Sequence, residues 1–302
     1  MRRTPANPKE VLSRQYSYDA DKSTLEKDID TVLLPLKVKG IRLSDNYPVP
    51  KIAGGITTIG DVVIVLDRLG NIYSYRPDAG HVEKLPFPAL PNNINDYLLT
   101  PYAHVDTNTF RAYNIKYLAF AKLLAVSHEY FDKQYNGTRL ALSVIGFDVD
   151  SMRPIGDWRT IFLSVVEPDG SNVESGAKIV TDGSDKIYLT VGDYYQADRA
   201  VAQDPNSTLG KIVEISISTQ KVRILSIGHR NPQGLVWTKT GELLSTEHGP
   251  AGGDELNLIT EGSNYGWPNV TLGTGYYGTY GDPGTLLTRA PSGLHLRVGL
   301  EL

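Results

Sequence analysis

The sequence predicts an all-β protein whose short strands repeat in the manner of a β-propeller. A unit made of a glycine, an apolar strand, a turn and a second strand recurs, and its starts at Gly176 and Gly234 lie 58 residues apart. Gly55 and Gly176 are separated by 121 residues, about twice the same spacing. Repeated four-stranded blades explain this period better than a sandwich does, because each blade pairs locally and a ring protects its edges.

The clearest unit is a hairpin near residue 70. An apolar run from Val62 to Leu66 is followed by a turn that contains Gly70 and Asn71, and then by the run Ile72 to Tyr75. Such a pair of β-rich runs across a short Gly-containing turn indicates a hairpin.

A further unit is expected between this hairpin and Gly176. Residues 117–132 and 137–150 supply two apolar runs that fit the missing repeat. The stretch from Tyr117 to Val126 has the alanine and leucine content of a helix, but its length and its place in the period favour a strand.

The chain length limits the number of blades. At about 60 residues per blade, 302 residues supply four to five blades, whereas closed rings have about four to eight. A small closed propeller and an incomplete larger one both fit. We expect a mobile lead-in over residues 1–30, a propeller domain over 31–282 and an atypical, turn-rich tail over 283–302.

Composition excludes several classes of protein. Apolar residues make up 40% of the chain and charged residues 21%, which is an ordinary globular balance. The net charge of −4 argues against a nucleic-acid partner, and the absence of cysteine excludes disulfides and thiolate chemistry. No run reaches the ~18 apolar residues of a membrane span, and the basic N-terminus lacks the apolar core of a signal peptide.

The loop from Gly228 to Gly234 concentrates polar groups just before a predicted strand. Arg230 presents a planar fork of donors that suits a carboxylate or a quinone carbonyl, and Asn231 can both donate and accept hydrogen bonds. Pro232 biases Asn231 toward an extended backbone. The loop either presents these side chains to a central cavity or simply pairs Arg230 with a neighbouring acid, and residue chemistry alone favours the pairing.

A second polar stretch runs from Glu247 to Glu255. The bend at Gly249 and Pro250 could offer backbone carbonyl oxygens to a hard cation such as Ca²⁺, although the spacing is not that of an EF-hand. Asp254 is adjacent to Glu255, so on a strand the two acids would face opposite ways and are expected to be a turn acid and a solvated residue.

Other chemical motifs are missing from the sequence. Six histidines are scattered without metal-ligand spacing, which argues against a zinc site. No nucleophile elbow, phosphate-binding loop or dinucleotide fingerprint occurs, which argues against α/β-hydrolases, P-loop NTPases and NAD-dependent dehydrogenases.

Four longer motifs carry a family resemblance. They are GHRNPQGL (228–235), TGELLSTEHGP (240–250), GGDELNLI (252–259) and NYGWPNV (264–270). Together they resemble the glucose/sorbosone dehydrogenase family, the soluble quinoprotein sugar dehydrogenases that use pyrroloquinoline quinone (PQQ). A weaker likeness extends over residues 50–270.

The resemblance implies a six-bladed propeller, here incomplete, that oxidises the anomeric hydroxyl of an aldose to a lactone with PQQ and Ca²⁺. Its partners would be a small sugar and an electron acceptor. By motif matching, Arg230 and Asn231 take the catalytic and cofactor-facing roles and Gln233 also faces the cofactor. The backbone carbonyls of Gly249 and Pro250 would bind Ca²⁺. Family members are typically periplasmic, although this chain shows no signal peptide.

Two positions depart from the family pattern. Val173 stands where the resemblance places the histidine that acts as base, and Ala177 stands where it places an arginine. Valine cannot accept a proton, and the adjacent Glu174 is a weak substitute because it would have to turn inward. Loss of a general base costs about 10²–10⁴-fold in rate. The alternative is therefore a non-catalytic propeller that binds a sugar or a protein partner. The sequence leaves the particular sugar and the oligomeric state open.

Overall fold

The computed structural model describes residues 24–30, 35–41, 54–100, 110–166, 174–194 and 199–273. The chain forms two compact units, Met1–Val49 and Pro50–Leu302. In the first, strand β1 (Thr24–Asp30) pairs antiparallel with β2 (Pro35–Ile41). Strand β1 falls inside the predicted lead-in, and the tail over 283–302 lies outside the described residues. The domain boundary at residue 30 stays a prediction.

The second unit contains the propeller, and its described residues form four antiparallel sheets. Blade 1 consists of β3 (Gly55–Ile59), β4 (Val62–Leu66), β5 (Ile72–Arg76) and β6 (His81–Lys84). Blade 2 consists of β7 (Ala112–Leu118), β8 (Leu123–Asp132), β9 (Gly137–Asp148) and β10 (Arg153–Leu163). A short helix, α1 (Ile94–Leu98), lies between these two blades in sequence.

The later blades follow the same plan. Blade 3 consists of β11 (Gly176–Thr181), β12 (Lys186–Val191), β13 (Lys211–Ser216) and β14 (Val222–Ile227). Blade 4 consists of three described strands, β15 (Asn231–Trp237), β16 (Leu243–His248) and β17 (Glu255–Ile259). A 3-10 turn, Arg199–Ala202, precedes β13.

The order of the strands confirms the predicted propeller. Within each blade every strand pairs with its sequence neighbour. Between blades, the first strands contact one another in succession, β3 with β7, β7 with β11 and β11 with β15. This is the arrangement expected when four sheets stand side by side around an axis and present their first strands toward it.

Three apolar cores hold neighbouring blades together. For example, Ile187 and Leu189 on β12 of blade 3 belong to the same core as Leu140 and Leu142 on β9 of blade 2. Similar clusters join blades 1 and 2, and blades 3 and 4. The central strands β8, β9, β12 and β13 are buried along most of their length, because both of their faces are covered by neighbouring blades.

Two local predictions need correction. Residues 117–126 form neither one helix nor one strand: β7 ends at Leu118, a turn follows, and β8 begins at Leu123. Lys122 takes φ 53° in this turn, a left-handed value that only a minority of non-glycine residues adopt. The Gly228–Gly234 segment is not only a turn that precedes a strand, because β15 already begins at Asn231. Helices capable of crossing a membrane are absent from the described part of the chain.

Candidate functional site

A cleft of about 580 Å³ opens at the edge of blades 3 and 4. Its volume falls in the range of about 300–1,000 Å³ that small-molecule sites occupy. The cleft is lined by ten residues from three segments of the chain: Glu174, Arg230, Asn231, Gln233, His248, Gly249, Pro250, Ala251, Gly252 and Asp254. The sequence-predicted residues of the Arg230 loop and of the Gly249 bend therefore meet at one place.

Strand pairing explains why the two loops meet. Strands β15 and β16 are antiparallel, and Asn231 at the start of β15 pairs with His248 at the end of β16. The residues just before β15 and just after β16 are consequently neighbours at the same edge of the blade. Arg230 and Gly249 flank this pair.

Arg230 is the central cation of the cleft, and its side chain is only 3% exposed. Its Nη1 donates hydrogen bonds to the carbonyl oxygens of Gly249 at 2.6 Å and His248 at 3.2 Å. Its Nη2 forms an ion pair with Oε1 of Glu174, and its guanidinium lies 5.5 Å from the ring centroid of Trp267. Three acceptors and an aromatic face thus fix a planar cation at the inner wall.

Glu174 reaches the cleft from the segment just before β11. Its backbone is left-handed, with φ 59°. Gly192 packs so closely beneath it that a Cβ at Gly192 would lie 1.6 Å from the Glu174 carbonyl oxygen. The Gly192 N–H also donates to the carbonyl oxygen of Ser175 at 2.9 Å. The backbone at the end of β12 therefore dictates where Glu174 sits.

Asn231 and Gln233 lie on the same wall as Arg230. The Oδ1 atom of Asn231 accepts the backbone N–H of Gly176 at 3.2 Å, which joins blade 4 to the start of β11. Oε1 of Gln233 is 3.2 Å from Nε2 of His248. His248 is 56% exposed, and its Nδ1 lies 3.8 Å from Oδ1 of Asp254. Motif reasoning did not single out His248, although its place opposite Asn231 in the hairpin register brings it into the cleft.

Gly249 and Pro250 turn the chain at the far wall. The Gly249 N–H donates to Oδ1 of Asp254 at 3.0 Å, so Asp254 stabilises the bend. Asp254 also lines the cleft, whereas residue chemistry alone treats it only as a turn acid. Clusters of three or more His, Cys, Asp or Glu side chains that could hold a metal are absent from the described residues.

The oxygen atoms that line the cleft still suit a hard cation whose remaining ligands come from a bound cofactor. Carbonyl oxygens of Gly249 and Pro250, with the carboxylates of Glu174 and Asp254 in the same cleft, are the oxygen donors that Ca²⁺ takes. The guanidinium of Arg230 suits a quinone oxygen or a carboxylate. The residues therefore fit PQQ and Ca²⁺ in chemical type, although Arg230 now engages Gly249 and Glu174 itself.

A buried polar network supports Arg230 from behind. The carboxylate of Glu247 accepts the backbone N–H of Arg230 through Oε1, and its Oε2 lies 2.9 Å from Nδ1 of His229. Nε2 of His229 is 2.8 Å from Oγ of Ser226, and the imidazole stacks on Tyr265 at 4.6 Å. Because a carboxylate only accepts hydrogen bonds, Nδ1 carries the proton that binds Glu247.

A second contact sets the aromatic face beneath Arg230. The indole N–H of Trp267 donates to Oδ2 of the buried Asp193 at 2.7 Å. The backbone N–H of Asp193 donates in turn to the Arg230 carbonyl oxygen at 2.8 Å. Sequence reasoning missed both residues, since they are 74 positions apart and only the packing of blade 3 against the segment after β17 joins them.

Blade 2 contributes a buried acid near the cleft segment. The Tyr113 hydroxyl donates to Oε2 of Glu129 at 2.5 Å and lies 2.8 Å from Oγ of Ser175, next to Glu174 in sequence. Burial raises the pKa of Glu129 to about 8, although Tyr113, Thr138 and Arg111 act in the opposite direction. Burial, with the nearby Glu129, also raises the pKa of Tyr113. Burial therefore favours the protonated form of Glu129 at pH values where an ordinary glutamate is ionised.

Of the two departures from the family pattern, only one falls among the described residues. Val173, the expected position of the base, lies outside them. Ala177 is 1% exposed and belongs to the core between blades 2 and 3. Its methyl group therefore packs in that core.

The comparison with known families agrees with this geometry. The family described as glucose/sorbosone dehydrogenase matches residues 107–291, a range that includes the whole cleft and the two strands that pair across it. The chain belongs to this family. Among relatives, it is 34% identical over 143 residues to the aldose sugar dehydrogenase YliI of Escherichia coli, which covers 43% of this chain and 38% of the relative. It is also 34% identical over 131 residues to quinoprotein glucose dehydrogenase B of Acinetobacter calcoaceticus, covering 34% and 27%.

Solved structures of the family share the fold. The apo form of the soluble aldose sugar dehydrogenase of Escherichia coli superposes with a TM-score of 0.59 at 22% identity, over 77% of this chain and 67% of that one. The PQQ-bound aldose sugar dehydrogenase of Streptomyces coelicolor gives 0.56 at 21% identity, over 86% and 71%. The alignments with the two sequence relatives span between about a quarter and two fifths of those proteins.

Proposed function

We propose that this member of the family binds PQQ with Ca²⁺ in the cleft and oxidises the anomeric hydroxyl of an aldose to the lactone, with an external acceptor taking the electrons. One observation supports the proposal: Nη1 of Arg230 lies 2.6 Å from the Gly249 carbonyl oxygen, in a cleft large enough for a small-molecule ligand. The cofactor with its metal would supply a polarised quinone that takes up the two electrons of the oxidation.

In this proposal the two loops hold the ligand. Arg230 would direct its fork of donors at a quinone oxygen or a carboxylate, held in place by Trp267 and by the Glu247 carboxylate behind its backbone. Oδ1 of Asn231 is engaged by Gly176, so its NH₂ group would be the donor offered to the ligand. Gln233 would act as a further polar contact. The carbonyls of Gly249 and Pro250 would be the protein ligands of Ca²⁺.

Removal of the proton from the sugar hydroxyl needs a base, and the described residues offer few candidates for it. The side chain of Val173 has no acceptor atom. Oε1 of Glu174 is held by Arg230, which opposes the inward turn that a substitute base would need. His248 lines the cleft, and its ring is exposed. With Oδ1 of Asp254 3.8 Å from its Nδ1, His248 is a second candidate for the base that accepts the proton.

A second function follows from this weak provision for a base. If neither Glu174 nor His248 takes the proton, the cleft binds its ligand without turnover. The protein would then be a non-catalytic propeller that binds a sugar or a protein partner. The ion pair between Arg230 and Glu174 supports this alternative, because it satisfies the cation within the protein itself.

A titration separates the two functions. PQQ is added to the purified chain with and without Ca²⁺ and followed by absorbance, and glucose is then added with a dye acceptor. Saturable binding with dye reduction supports the dehydrogenase, and binding without dye reduction supports the non-catalytic propeller. No binding of PQQ under either condition would exclude the quinoprotein proposal. Melting with and without Ca²⁺ gives a companion measurement, since a cation that binds only the native state raises the midpoint.

A further inference from the structure

The cleft holds a carboxylate where an anionic ligand would bind. Arg230 is 3% exposed and Glu174 is 15% exposed, so the acid is the member of the pair nearer to solvent. Both side chains line the cleft. The remaining hydrogen bonds of the Arg230 guanidinium given above go to the carbonyl oxygens of His248 and Gly249, on its Nη1 side. The Nη2 side is the one that Glu174 covers.

The position of Glu174 is imposed by the fold. Its left-handed backbone and the close approach of Gly192 fix the main chain, so a change of partner at Arg230 has to come from the side-chain torsions of Glu174.

Charge explains why the exchange matters. Apart from His248, the ionisable groups lining the described part of the cleft are one cation, Arg230, and two acids, Glu174 and Asp254. An incoming carboxylate must replace Glu174 at the guanidinium and places a second carboxylate beside that of Glu174. Like charges at such short range are strongly unfavourable in a partly buried site.

We propose that Glu174 is a specificity-determining residue that occupies the anion site of Arg230 and so disfavours anionic ligands in the absence of a divalent cation. A cation bound at the carbonyls of the Gly249 bend would offer Glu174 a new partner and release Arg230. PQQ is a quinone that carries carboxylate groups, and for PQQ the inference rests on the proposed function. For other anions the inference is independent of that function.

The test uses oxalate, a simple dicarboxylate, and PQQ with Ca²⁺ as two separate probes of the full chain. We expect Glu174→Gln to bind oxalate at least about tenfold more tightly than the parent chain, measured by calorimetry and by the rise in melting midpoint. Asp254→Asn is the matched control: it removes the same charge from the same cleft without touching Arg230, and keeps an oxygen that can accept the Gly249 N–H. It is expected to change the affinity for oxalate less than about threefold.

The double variant Glu174→Gln with Arg230→Gln should lose the gain, because the anion site itself is removed. If Glu174→Gln does not fold, Glu174→Asp, which withdraws the carboxylate by one methylene, is expected to give a smaller gain in the same direction. Equal affinity for oxalate in the parent chain and in the folded variant would overturn the inference, and so would an equal gain in Asp254→Asn.

The two probes keep this inference separate from the proposed function. Tighter oxalate binding by Glu174→Gln with no PQQ binding by any variant would support the role of Glu174 and exclude the quinoprotein proposal. PQQ binding that is equally tight in the parent chain and in Glu174→Gln without added Ca²⁺ would leave the quinoprotein proposal standing and overturn the role of Glu174.

Discussion

Glu247 holds His229 and the main chain of Arg230 with the two oxygens of one carboxylate. Oε2 lies 2.9 Å from Nδ1 of His229, and Oε1 accepts the Arg230 N–H. The imidazole and the carboxylate are 0% and 5% exposed. The pair therefore links β16 to the segment that carries the central cation of the cleft.

Replacement of Glu247 by alanine is expected to destabilise the protein by about 2–4 kcal/mol, because it removes the acceptor that two buried donors share. Glu247→Gln, which keeps one oxygen, should cost about half as much. Urea denaturation at pH 7 measures both. Glu242→Ala, in the exposed turn of the same hairpin, is the control and should change stability by less than about 0.5 kcal/mol. Equal effects at Glu247 and Glu242 would contradict the supporting role.

The buried acid of blade 2 predicts a pH-dependent stability. The pKa of Glu129 is about 8 in the folded chain because burial disfavours its charged form, whereas the ordinary value is 4.5. Between these values the folded state binds the proton more tightly than the unfolded state, so the contribution of Glu129 to the free energy of unfolding falls as pH rises from 4.5 to 8. Glu129→Gln should flatten this part of the profile.

Denaturation of the parent chain and of Glu129→Gln across that pH range measures the effect. Glu83→Gln, on an exposed position of β6, supplies the control and should leave the slope unchanged. A glutamine variant whose slope matched that of the parent chain would mean that Glu129 is ionised in the folded state.

Gly192 predicts a steric effect at the cleft. A methyl group there would meet the Glu174 carbonyl oxygen at 1.6 Å, so Gly192→Ala must displace the segment that carries Glu174. We expect a loss of at least about 3 kcal/mol of stability. Gly183→Ala is the comparison, because its Cβ would meet nothing within 4 Å although its φ is +86°. It should cost only the backbone strain of about 1–2 kcal/mol. A similar cost at both glycines would argue against the close contact.

Restoring a histidine tests whether the base is missing. If Val173 occupies the position that the family resemblance assigns to the base, Val173→His should raise the rate of dye reduction with glucose by about 10²-fold or more when PQQ and Ca²⁺ are present. Val173→Gln, which adds a polar group without a basic nitrogen, is the control and should not raise the rate. No gain with histidine despite bound PQQ would place the base elsewhere, with His248 the next residue to replace.

Local sequence patterns are sufficient to predict several hairpins of this protein. The run Val62 to Leu66 and the glycine-led units at Gly176 and Gly234 predict hairpins that the fold contains, because alternation and turn chemistry act between near neighbours. The turn at Lys122 escaped prediction, since a lysine with positive φ leaves no compositional signal there.

The same limit applies to the cleft. The motifs of the Arg230 loop and the Gly249 bend can be recognised in sequence, and one hairpin register brings them together. The partner of Arg230 cannot be recognised in this way, because Glu174 is 56 residues away and meets it only where β11 packs beside β15. The sequence by itself determined several hairpins and their repeat, because these depend on contacts within a blade, and its motifs determined the family. The ion pair, the Trp267–Asp193 contact and the buried acid of blade 2 were decided by tertiary structure, because the packing of blades and loops distant in sequence chooses which side chains share a desolvated space.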